Sequence, residues 1–568
     1  MDNNMKKSME KTIDCLFIGH NEMDFTEYEV EVRKMGVHSG AYRDLNLNFI
    51  TYNGKPYAAP DIFNLFHPGA GGAAGDSRPL DLGETFSAAV AYLGTYLHRR
   101  GLTFDYVNSF HRQREELAEK LKNENIRTIG IITTLYVSVF PILEIMEFIK
   151  KYNRTARVVI GGPYISTQCR TMEPQALDYL FKSIGADFYV NSSQGEAALV
   201  SLIKALRDDS PLDEVPNIYY KPGETYTATA VSPENNPLDE NMVDWGLFTQ
   251  SLGEFVTVRT AISCPFSCAF CGFPQHAGTY RAAGVAAVEQ ELLLLDKPGA
   301  VKNVQFIDDT FNIPVKRFKE LLRMMIRNKP RFKWYSHFRC QYADRETIEL
   351  MKESGCIGVF LGIESGSDRI LENMNKKVTV QKYREGIALL KEYDIMTYGS
   401  FIIGFPGETR ETADETIRFI HDSGLDFYRA QLWYCEPITP IWQQREKYKI
   451  SGESFEWSHA TMDSNQASGI VEEIFLSVQQ PIWVPQYNFE CDGLFHLLQR
   501  GFTMDEVKEF TRSFNNAVGE KLRDPSLREI GFDALMRLKN ACTGEKSICE
   551  TAPVKKTAIN QDDVEFDF

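Results

Sequence analysis

Cys264-Pro-Phe-Ser-Cys268-Ala-Phe-Cys271 is the stretch that decides the fold of this chain. It follows directly on an apolar run, Phe255–Thr260, that predicts a β-strand, so the three thiols fall on a loop at the carboxyl end of that strand. Thiolates at this spacing can hold three corners of a cubane iron–sulfur cluster and leave the fourth iron without a protein ligand. An iron with an open position is a place where a small molecule can bind and react.

Two other uses of these cysteines compete with the cluster interpretation. A zinc site could begin with the last two cysteines of the motif and His276, but its fourth ligand would then fall at Arg281, and structural zinc needs four protein ligands. An electron-transfer ferredoxin would need a fourth cysteine, and neither Cys340 nor Cys356 is placed as one. A cluster with an open iron is therefore the favoured interpretation.

The motif opens a region, from Glu254 to about Pro440, in which short apolar runs alternate with amphipathic stretches. Apolar residues at helical spacing mark Val315–Ile326 and Val380–Lys391 between the strands. Six β/α units predict a barrel or partial barrel, with chemistry at the carboxyl-terminal ends of the strands. The predicted strands are Phe255–Thr260, Asn303–Ile307, Lys333–Phe338, Gly358–Leu361, Thr397–Ile403 and Phe427–Leu432.

Four later segments complete a resemblance to a known family. Phe306-Ile-Asp-Asp-Thr-Phe311 ends the second predicted strand and Arg339 the third. Leu361-Gly-Ile-Glu-Ser-Gly366, followed by Asp368-Arg-Ile-Leu and Met374-Asn-Lys, ends the fourth, and Ile403-Gly-Phe-Pro-Gly-Glu-Thr409 ends the fifth. With the cysteines and Phe270, these segments resemble the radical S-adenosylmethionine (SAM) enzymes, whose cysteine motif is CxxxCxΦC. Other members carry Gly-Gly-Glu where this chain has Asp308 and Asp309.

The resemblance implies a role for each of these positions. Cys264, Cys268 and Cys271 would hold a [4Fe–4S] cluster whose free iron binds the amino and carboxylate groups of SAM. The implied SAM contacts are Phe270 of the motif, Asp308 and Asp309 for the amine, Arg339 for the carboxylate, Glu364 with Ser365 beside it for the ribose, and Gly404 and Phe405 for the adenine. An internal salt bridge is the other interpretation of Arg339 and Glu364. The sequence identifies no catalytic acid or base.

Ahead of this region, Ile13 to about Tyr220 alternates strands and helices in the manner of a parallel sheet covered on both faces. Ligands of such sheets lie beyond the carboxyl ends of the strands. There the chain places Thr133-Thr134, Gly161-Gly162-Pro163 and Ser192-Ser193-Gln194-Gly195-Glu196. The predicted strands are Ile13–Ile18, Phe104–Phe110, Thr128–Thr133, Ala156–Ile160 and Asp187–Val190, with helical patterns over Thr85–Arg99 and from Pro141 to Ile149.

A Rossmann-like, flavodoxin-type domain ahead of a radical SAM barrel resembles the cobalamin-binding class of these enzymes. The resemblance implies that Thr134, Gly161, Gly162, Gly195 and Glu196 contact cobalamin. Where other cobalamin proteins carry Asp-x-His-x-x-Gly, this chain reads Gly19-His20-Asn21-Glu22-Met23, which implies no histidine beneath the cobalt. Alternatively, the domain has lost its cofactor.

The resemblance implies a cobalamin-dependent radical SAM methyltransferase, closest to the PhpK-like P-methyltransferase group. Such an enzyme moves a methyl group from SAM via methylcobalamin to an unactivated carbon or a phosphinate phosphorus of a natural-product intermediate, with a reductant such as flavodoxin or ferredoxin as partner. One alternative is ring formation or rearrangement without methyl transfer. The alternative of another class is a non-catalytic iron–sulfur or zinc-binding protein.

Composition bounds the remaining possibilities. The 568 residues carry a formal net charge of −16, which disfavours a general nucleic-acid binder. Met1–Lys11 is polar, with no export signal or membrane span, and the thiols should stay reduced, so a cytoplasmic protein is predicted. Gly69–Gly75 is interpreted as a loop rather than a phosphate site. The predicted divisions are 1–220 for the first domain, 221–250 for a linker, 251–440 for the barrel, 441–542 for a small, mostly helical cap, and 543–568 for a disordered tail.

Overall fold

The computed structural model describes residues 12–21, 24–67, 79–80, 85–134, 136, 138–487 and 489–543. The predictions made for residues 1–11, 22–23, 69–75 and 544–568 lie outside these ranges. The described chain is built on two seven-stranded sheets, one on each side of residue 250.

The first sheet has the flavodoxin-type order that the sequence predicts. Five of its strands are parallel, and the first of them in sequence lies between the second and the third. Two antiparallel strands extend the far edge. This antiparallel extension was not predicted. In spatial order the strands are Phe104–Ser109, Ile13–His20, Ile126–Ile132, Arg157–Gly161, Phe188–Val190, Ile218–Tyr220 and Thr227–Ala228.

Helices cover both faces of the first sheet, so its strands are apolar on both sides. Along Ile13–His20, Cys15 and Phe17 pack into one cluster of buried residues, and Leu16 and Ile18 pack into the other. A continuous apolar run is what a strand buried on both faces requires. The helices are Ala88–His98, Arg114–Asn123, Phe140–Tyr152, Pro163–Thr171, Pro174–Ile184 and Glu196–Asp208.

The second sheet is parallel throughout and follows chain order, as a partial barrel requires. The six predicted strands are present, and a seventh, only two residues long, was not predicted. The strands are Phe255–Val258, Asn303–Phe306, Lys333–His337, Cys356–Glu364, Met396–Ile403, Phe427–Leu432 and Ile482–Trp483. The intervening helices are Phe273–Ala277, Val285–Asp296, Val315–Asn328, Arg345–Glu353, Asp368–Asn373, Val380–Glu392 and Arg410–Asp422, and a short hairpin pairs Ala261–Ile262 with Arg281–Ala282.

The segment predicted as a linker, 221–250, contributes to both halves. Thr227–Ala228 is the last strand of the first sheet, and Trp245 is completely buried. Short helical turns stand at Leu212–Glu214, Leu238–Asn241 and Trp245–Leu247.

Residues 24–67, which we name the N-terminal extension, pack on the carboxyl-terminal part of the chain although they were predicted within the first domain. Arg429 of the second sheet is fully buried and lies 3.1 Å from Asp44 of the extension, and Arg43 pairs with Glu472 at 2.7 Å. The extension consists of helices Phe25–Arg33, Gly40–Asn46 and Ala59–Phe66 and the hairpin Phe49–Tyr52 with Lys55–Ala58.

The carboxyl-terminal region is mostly helical, as predicted, with a small antiparallel sheet that was not. Helix Glu490–Gln499 fills the amino-terminal end of the barrel, where Phe495 stacks on Tyr335 with ring centroids 4.1 Å apart. The sheet is formed by Ser451–Glu453, Glu456–His459 and Met462–Asp463, and the helices are Arg445–Tyr448, Ser464–Ser477, Glu490–Gln499, Met504–Arg523 and Phe532–Thr543. Within the described ranges, no helix combines the length and apolar character that a membrane span needs.

Candidate functional site

The cysteine loop joins strand Phe255–Val258 to helix Phe273–Ala277 at the carboxyl end of the barrel. Burial raises the pKa of the Cys271 thiol to about 12, and the charges of Asp309, Cys268 and Cys264 nearby act in the same direction. The Cys264 Sγ atom lies 3.4 Å from the Thr310 hydroxyl. Among the described residues, no group of three or more His, Cys, Asp or Glu side chains is placed so that it could hold a single metal ion. Three neighbouring thiols without a fourth protein ligand fit a cluster with one open iron.

Arg339 is buried directly beside this loop. Its Nη2 donates to the Cys268 Sγ atom at 3.1 Å, and its guanidinium lies 3.6 Å from the centre of the Phe266 ring. Asn312 fixes its backbone through two 3.0 Å hydrogen bonds. The structure therefore favours Arg339 as a positive charge beside the cysteine loop over the internal salt bridge considered for it.

Asp308 and Asp309 have different surroundings, which the sequence could not distinguish. Asp308 is buried and accepts hydrogen bonds from the Thr260 and Ala261 amides at 2.6 and 2.9 Å, so it fixes the chain that leads into the cysteine loop. Asp309 is exposed in the mouth of the barrel. Desolvation, with a further contribution from Asp308, raises the pKa of Asp309 to about 7. Only Asp309 is free to meet an ammonium group.

Glu364 ends its strand in a left-handed conformation, with φ +70°, and is paired with a lysine to which the sequence analysis gave no role. The Lys376 Nζ atom lies 2.8 Å from its carboxylate, and both side chains are less than 10% exposed. Glu364 therefore forms an internal salt bridge, with Lys376 rather than with Arg339, through one of its two carboxylate oxygens. Ser365 is completely buried and bonded to the Thr416 hydroxyl at 3.1 Å, so it fixes the loop rather than facing the site.

Gly404 and Phe405 form the far wall of the site. Gly404 has φ +89°, and a Cβ there would collide with the Trp457 ring. Its amide donates to Glu408 and its carbonyl oxygen lies 3.0 Å from the His459 Nε2 atom. Phe405 is fully buried, 6.5 Å ring to ring from Phe270 of the cysteine motif. The predicted adenine wall and the motif aromatic are thus brought together.

The cobalamin positions predicted in the first domain divide into two groups. Thr134, Gly161, Gly162 and Gly195 stand at the carboxyl edge of the first sheet, and Thr134 is exposed. Glu196 is instead only 3% exposed and accepts a 3.0 Å hydrogen bond from Asn236. Its side chain therefore anchors residues 234–236 and does not face the edge.

The edge of the first sheet packs against the chain that follows the cysteines. Helix Pro163–Thr171 follows directly on Gly162 and contacts helix Phe273–Ala277. The Thr167 hydroxyl lies 3.2 Å from the His276 Nε2 atom, and Arg170 donates to the Gln275 carbonyl. The carboxyl edge of the first sheet therefore packs directly beside the segment that follows the cysteine loop.

The inner wall of the barrel carries polar side chains that sequence reasoning missed. Phe306 and Trp334 lie against each other on the outer face of the barrel, where Trp334 meets Phe318 of a flanking helix. Because side chains alternate along a strand, Gln305, one residue before Phe306, and His337, three residues after Trp334, face inward. Gln305, His337 and Gln431 are half-buried, and neither glutamine has a side-chain hydrogen-bond partner within the described parts of the chain. Strand alternation was the signal that could have located them.

Residues 259–420 match the family model of the radical SAM superfamily. The match begins just before the cysteine motif and ends within helix Arg410–Asp422. The chain carries a radical SAM domain. Its boundaries include the cysteine loop, Asp309, Arg339, Glu364 and Gly404, that is, every position assigned above to the cluster and to SAM.

Curated relatives extend the similarity beyond the radical SAM domain. An uncharacterized methyltransferase of Pyrococcus horikoshii is 28% identical over 335 residues, which are 58% of this chain and 71% of that protein. The anaerobic magnesium-protoporphyrin IX monomethyl ester cyclase of Cereibacter sphaeroides is 28% identical over 401 residues, which are 67% of this chain and 62% of the cyclase. The chain thus spans less than two thirds of that relative.

Solved structures show the same fold over most of the chain. The cobalamin-dependent SAM radical enzyme OxsB with aqua-cobalamin bound superposes with a TM-score of 0.56 at 12% identity, covering 93% of this chain and 83% of that one. The radical SAM methyltransferase TsrM from Kitasatospora setae, with cobalamin and a [4Fe–4S] cluster bound, gives 0.53 at 20% identity, covering 63% and 71%. The radical SAM domain and the flavodoxin-type domain therefore occur together in known enzymes.

Proposed function

We propose that the chain is a cobalamin-dependent radical SAM methyltransferase acting on a small molecule. The observation that carries this proposal is the packing of helix Pro163–Thr171 against helix Phe273–Ala277. It brings the carboxyl edge of a flavodoxin-type sheet, beyond which ligands bind, next to a loop of three cysteines. Two sites of different chemistry at one position suit a reaction that needs both.

The side chains present fit the two groups and SAM. The three thiols would hold a [4Fe–4S] cluster, Asp309 would meet the SAM amine, and Glu364 the ribose. Arg339 would bring a positive charge to the SAM carboxylate and to the cluster loop. When bound, the cluster with SAM supplies hydrogen-atom abstraction, and cobalamin supplies methyl transfer.

The first sheet would hold cobalamin at Thr134, Gly161, Gly162 and Gly195. Glycine at these strand ends lets a flat macrocycle approach the backbone. The substrate would lie inside the barrel, against Gln305, His337 and Gln431. Enclosure by the two halves would keep water and stray hydrogen donors away from the reaction.

The test is the balance of nucleosides formed from SAM during anaerobic, reducing turnover. We expect each methylated product to gain one CH2 unit and to be matched by one S-adenosylhomocysteine and one 5′-deoxyadenosine. Cys271→Ala should lose the iron and the 5′-deoxyadenosine, whereas Cys169→Ala, outside the motif, should retain both. Product formed with 5′-deoxyadenosine but without S-adenosylhomocysteine would refute methyl transfer.

The similarity to a cyclase favours one second candidate, ring formation without methyl transfer. The same assay decides between them, because a cyclised product gains no CH2 unit. Metal analysis after anaerobic purification separates both from a non-catalytic zinc-binding protein, since iron and sulfide in equal amounts exclude zinc. The acceptor atom, carbon or phosphinate phosphorus, the PhpK-like assignment, the reductant and the cytoplasmic location remain predictions.

A further inference from the structure

A turn of the radical SAM domain, Met374-Asn375-Lys376, brackets the cysteine loop from the side of the fourth strand. The Met374 carbonyl accepts from the Ala269 amide at 2.8 Å, and the Asn375 amide group donates to the Ser267 carbonyl at 2.8 Å. Asn375 has φ +53°, so the turn is held in a left-handed conformation by these contacts. The cysteine loop is therefore fastened to this turn at two consecutive residues.

The third residue of the turn, Lys376, reaches the opposite way, into the site. Its Nζ atom lies 2.8 Å from the Glu364 carboxylate and 5.2 Å from the centre of the Phe270 ring. Its carbonyl accepts from Arg339 Nη1 at 3.3 Å, while Arg339 Nη2 donates to the Cys268 sulfur. One lysine thus contacts three positions to which cofactor binding has been assigned.

The backbone around Glu364 is shaped for this pair. The strand register shifts between Gly362 and Glu364, and Glu364 itself has φ +70°. A Cβ at Gly362 would lie 2.6 Å from the Glu364 carboxylate and 3.3 Å from Lys376 Nζ, so a side chain there would break the pair. Because both charges are buried, neither is compensated by solvent if the other is removed.

We propose that Lys376 is a positioning residue for SAM, which holds the Glu364 carboxylate where the ribose would bind and fastens it to the cysteine loop. The inference rests on the proposed function, since it assigns the ribose contact to Glu364. Lys376 fixes the position of that carboxylate through one oxygen, and the second oxygen accepts no hydrogen bond from the described residues, so a hydroxyl group could donate to it. It touches neither the cluster nor the reacting atoms.

The test is the affinity of the cluster-loaded protein for SAM, read from the SAM-induced change in the electron paramagnetic resonance spectrum of the reduced cluster. Lys376→Met should weaken SAM binding by about tenfold or more, because the buried Glu364 carboxylate would then have no counterion among the described residues. Lys376→Arg should keep most of the affinity. Iron content should be unchanged in both, since the Met374 and Asn375 contacts remain.

A double-mutant cycle adds a readout that a merely structural role would not change. In the Glu364→Gln background the Lys376→Met substitution should cost much less SAM affinity, because no buried carboxylate is left uncompensated. Lys382→Met is the matched control, since its 2.7 Å pair with Glu385 is exposed to solvent; its SAM affinity should equal that of the wild type.

Three results would overturn the inference. They are unchanged SAM affinity in Lys376→Met, additive effects in the cycle, and loss of iron in both Lys376→Met and Lys376→Arg, which would make the role structural. Failure of the part of the proposed function on which the inference rests, SAM binding at the cluster, is distinguishable, because the wild-type cluster would then show no spectral response to SAM at all.

Discussion

At the scale of single residues, burial decides which carboxyl groups can ionise. Glu291, on helix Val285–Asp296, is 2% exposed and accepts a 3.1 Å hydrogen bond from the Trp245 indole. Desolvation raises the pKa of Glu291 to about 8 although the indole acts in the opposite direction. Between about pH 4.5 and pH 8, Glu291 is therefore protonated in the folded protein and ionised in the unfolded chain.

This proton makes stability dependent on pH in a predictable direction. A folded pKa above the unfolded value means that stability is full below about pH 4.5 and is lost as pH rises towards about 8. We expect Glu291→Gln to flatten the fall in thermal midpoint between pH 6 and pH 9 by an amount equivalent to roughly 2–4 kcal/mol. Glu289→Gln, on the same helix but paired with Arg327 at 2.8 Å, is the control. An equal pH slope in wild type and Glu291→Gln would contradict the assignment.

Residue identity and order predicted the cysteine set, but not the partners of the charged residues. The spacing of three thiols is a local signal, and it is read directly from eight consecutive positions. Asp308 and Asp309 are adjacent and chemically alike, so only their tertiary contacts separate the buried one from the exposed one. The pairing of Glu364 with Lys376 depends on a turn twelve residues away, which periodicity does not predict.

At the scale of elements, the left-handed corner between strand Arg157–Gly161 and helix Pro163–Thr171 is the feature that a single methyl group can test. Gly162 has φ +118° and ψ −173°, and a Cβ there would lie 2.8 Å from the Thr133 hydroxyl. This backbone region costs a non-glycine residue about 1–3 kcal/mol.

We therefore expect Gly162→Ala to lower the thermal midpoint and to weaken binding of hydroxocobalamin, because the added methyl group forces the corner away from Thr133 at the proposed cobalamin site. Binding is followed by the visible absorbance of the cofactor. Gly223→Ala is the control, since no atom lies within 4 Å of its added Cβ and its φ is ordinary. Undiminished binding in Gly162→Ala would remove this corner from the cobalamin site.

The elements that sequence predicted well are the strands buried on both faces, whose apolar runs are long and uninterrupted. Those it missed are short or depend on distant partners. The two-residue strand Ile482–Trp483 exists because Phe427–Leu432 offers an open edge. The hairpin of the N-terminal extension did have a local signal, Asn53-Gly54 with φ +51° and +74°, which is typical of a two-residue turn.

At the scale of the whole molecule, the chain folds back on itself so that its two ends close one structure. Lys521, near the carboxyl terminus, donates to the carbonyls of Asn46 and Phe49 of the N-terminal extension at 2.9 and 2.7 Å. The first sheet meets the second through Phe86, whose amide donates to Phe255 at 3.2 Å. The N-terminal extension therefore joins the carboxyl-terminal region, and residue 86 joins the two halves of the molecule.

The proposed cobalamin site leads to a prediction about the ligand of cobalt that can be measured directly. Three histidines are near the edge of the first sheet: His20 ends its strand, His111 lies 3.3 Å from Glu144, and His276 meets Thr167. The latter two are engaged with protein partners. Burial lowers the pKa of His20, but the loop after it lacks the spacing that brings a histidine beneath a corrin in other cobalamin proteins.

We expect the protein loaded with cob(II)alamin to show an electron paramagnetic resonance spectrum without nitrogen superhyperfine splitting from a histidine, because His111 and His276 meet protein partners and the sequence after His20 lacks the cobalt-ligating spacing. His20→Ala should leave that spectrum unchanged, with His276→Ala as the matched substitution on the opposite helix. Splitting in the wild type that disappears in His20→Ala would make His20 a cobalt ligand. Binding of no cobalamin by the wild type would instead indicate that the flavodoxin-type domain has lost its cofactor, and methyl transfer would then have no carrier in this chain.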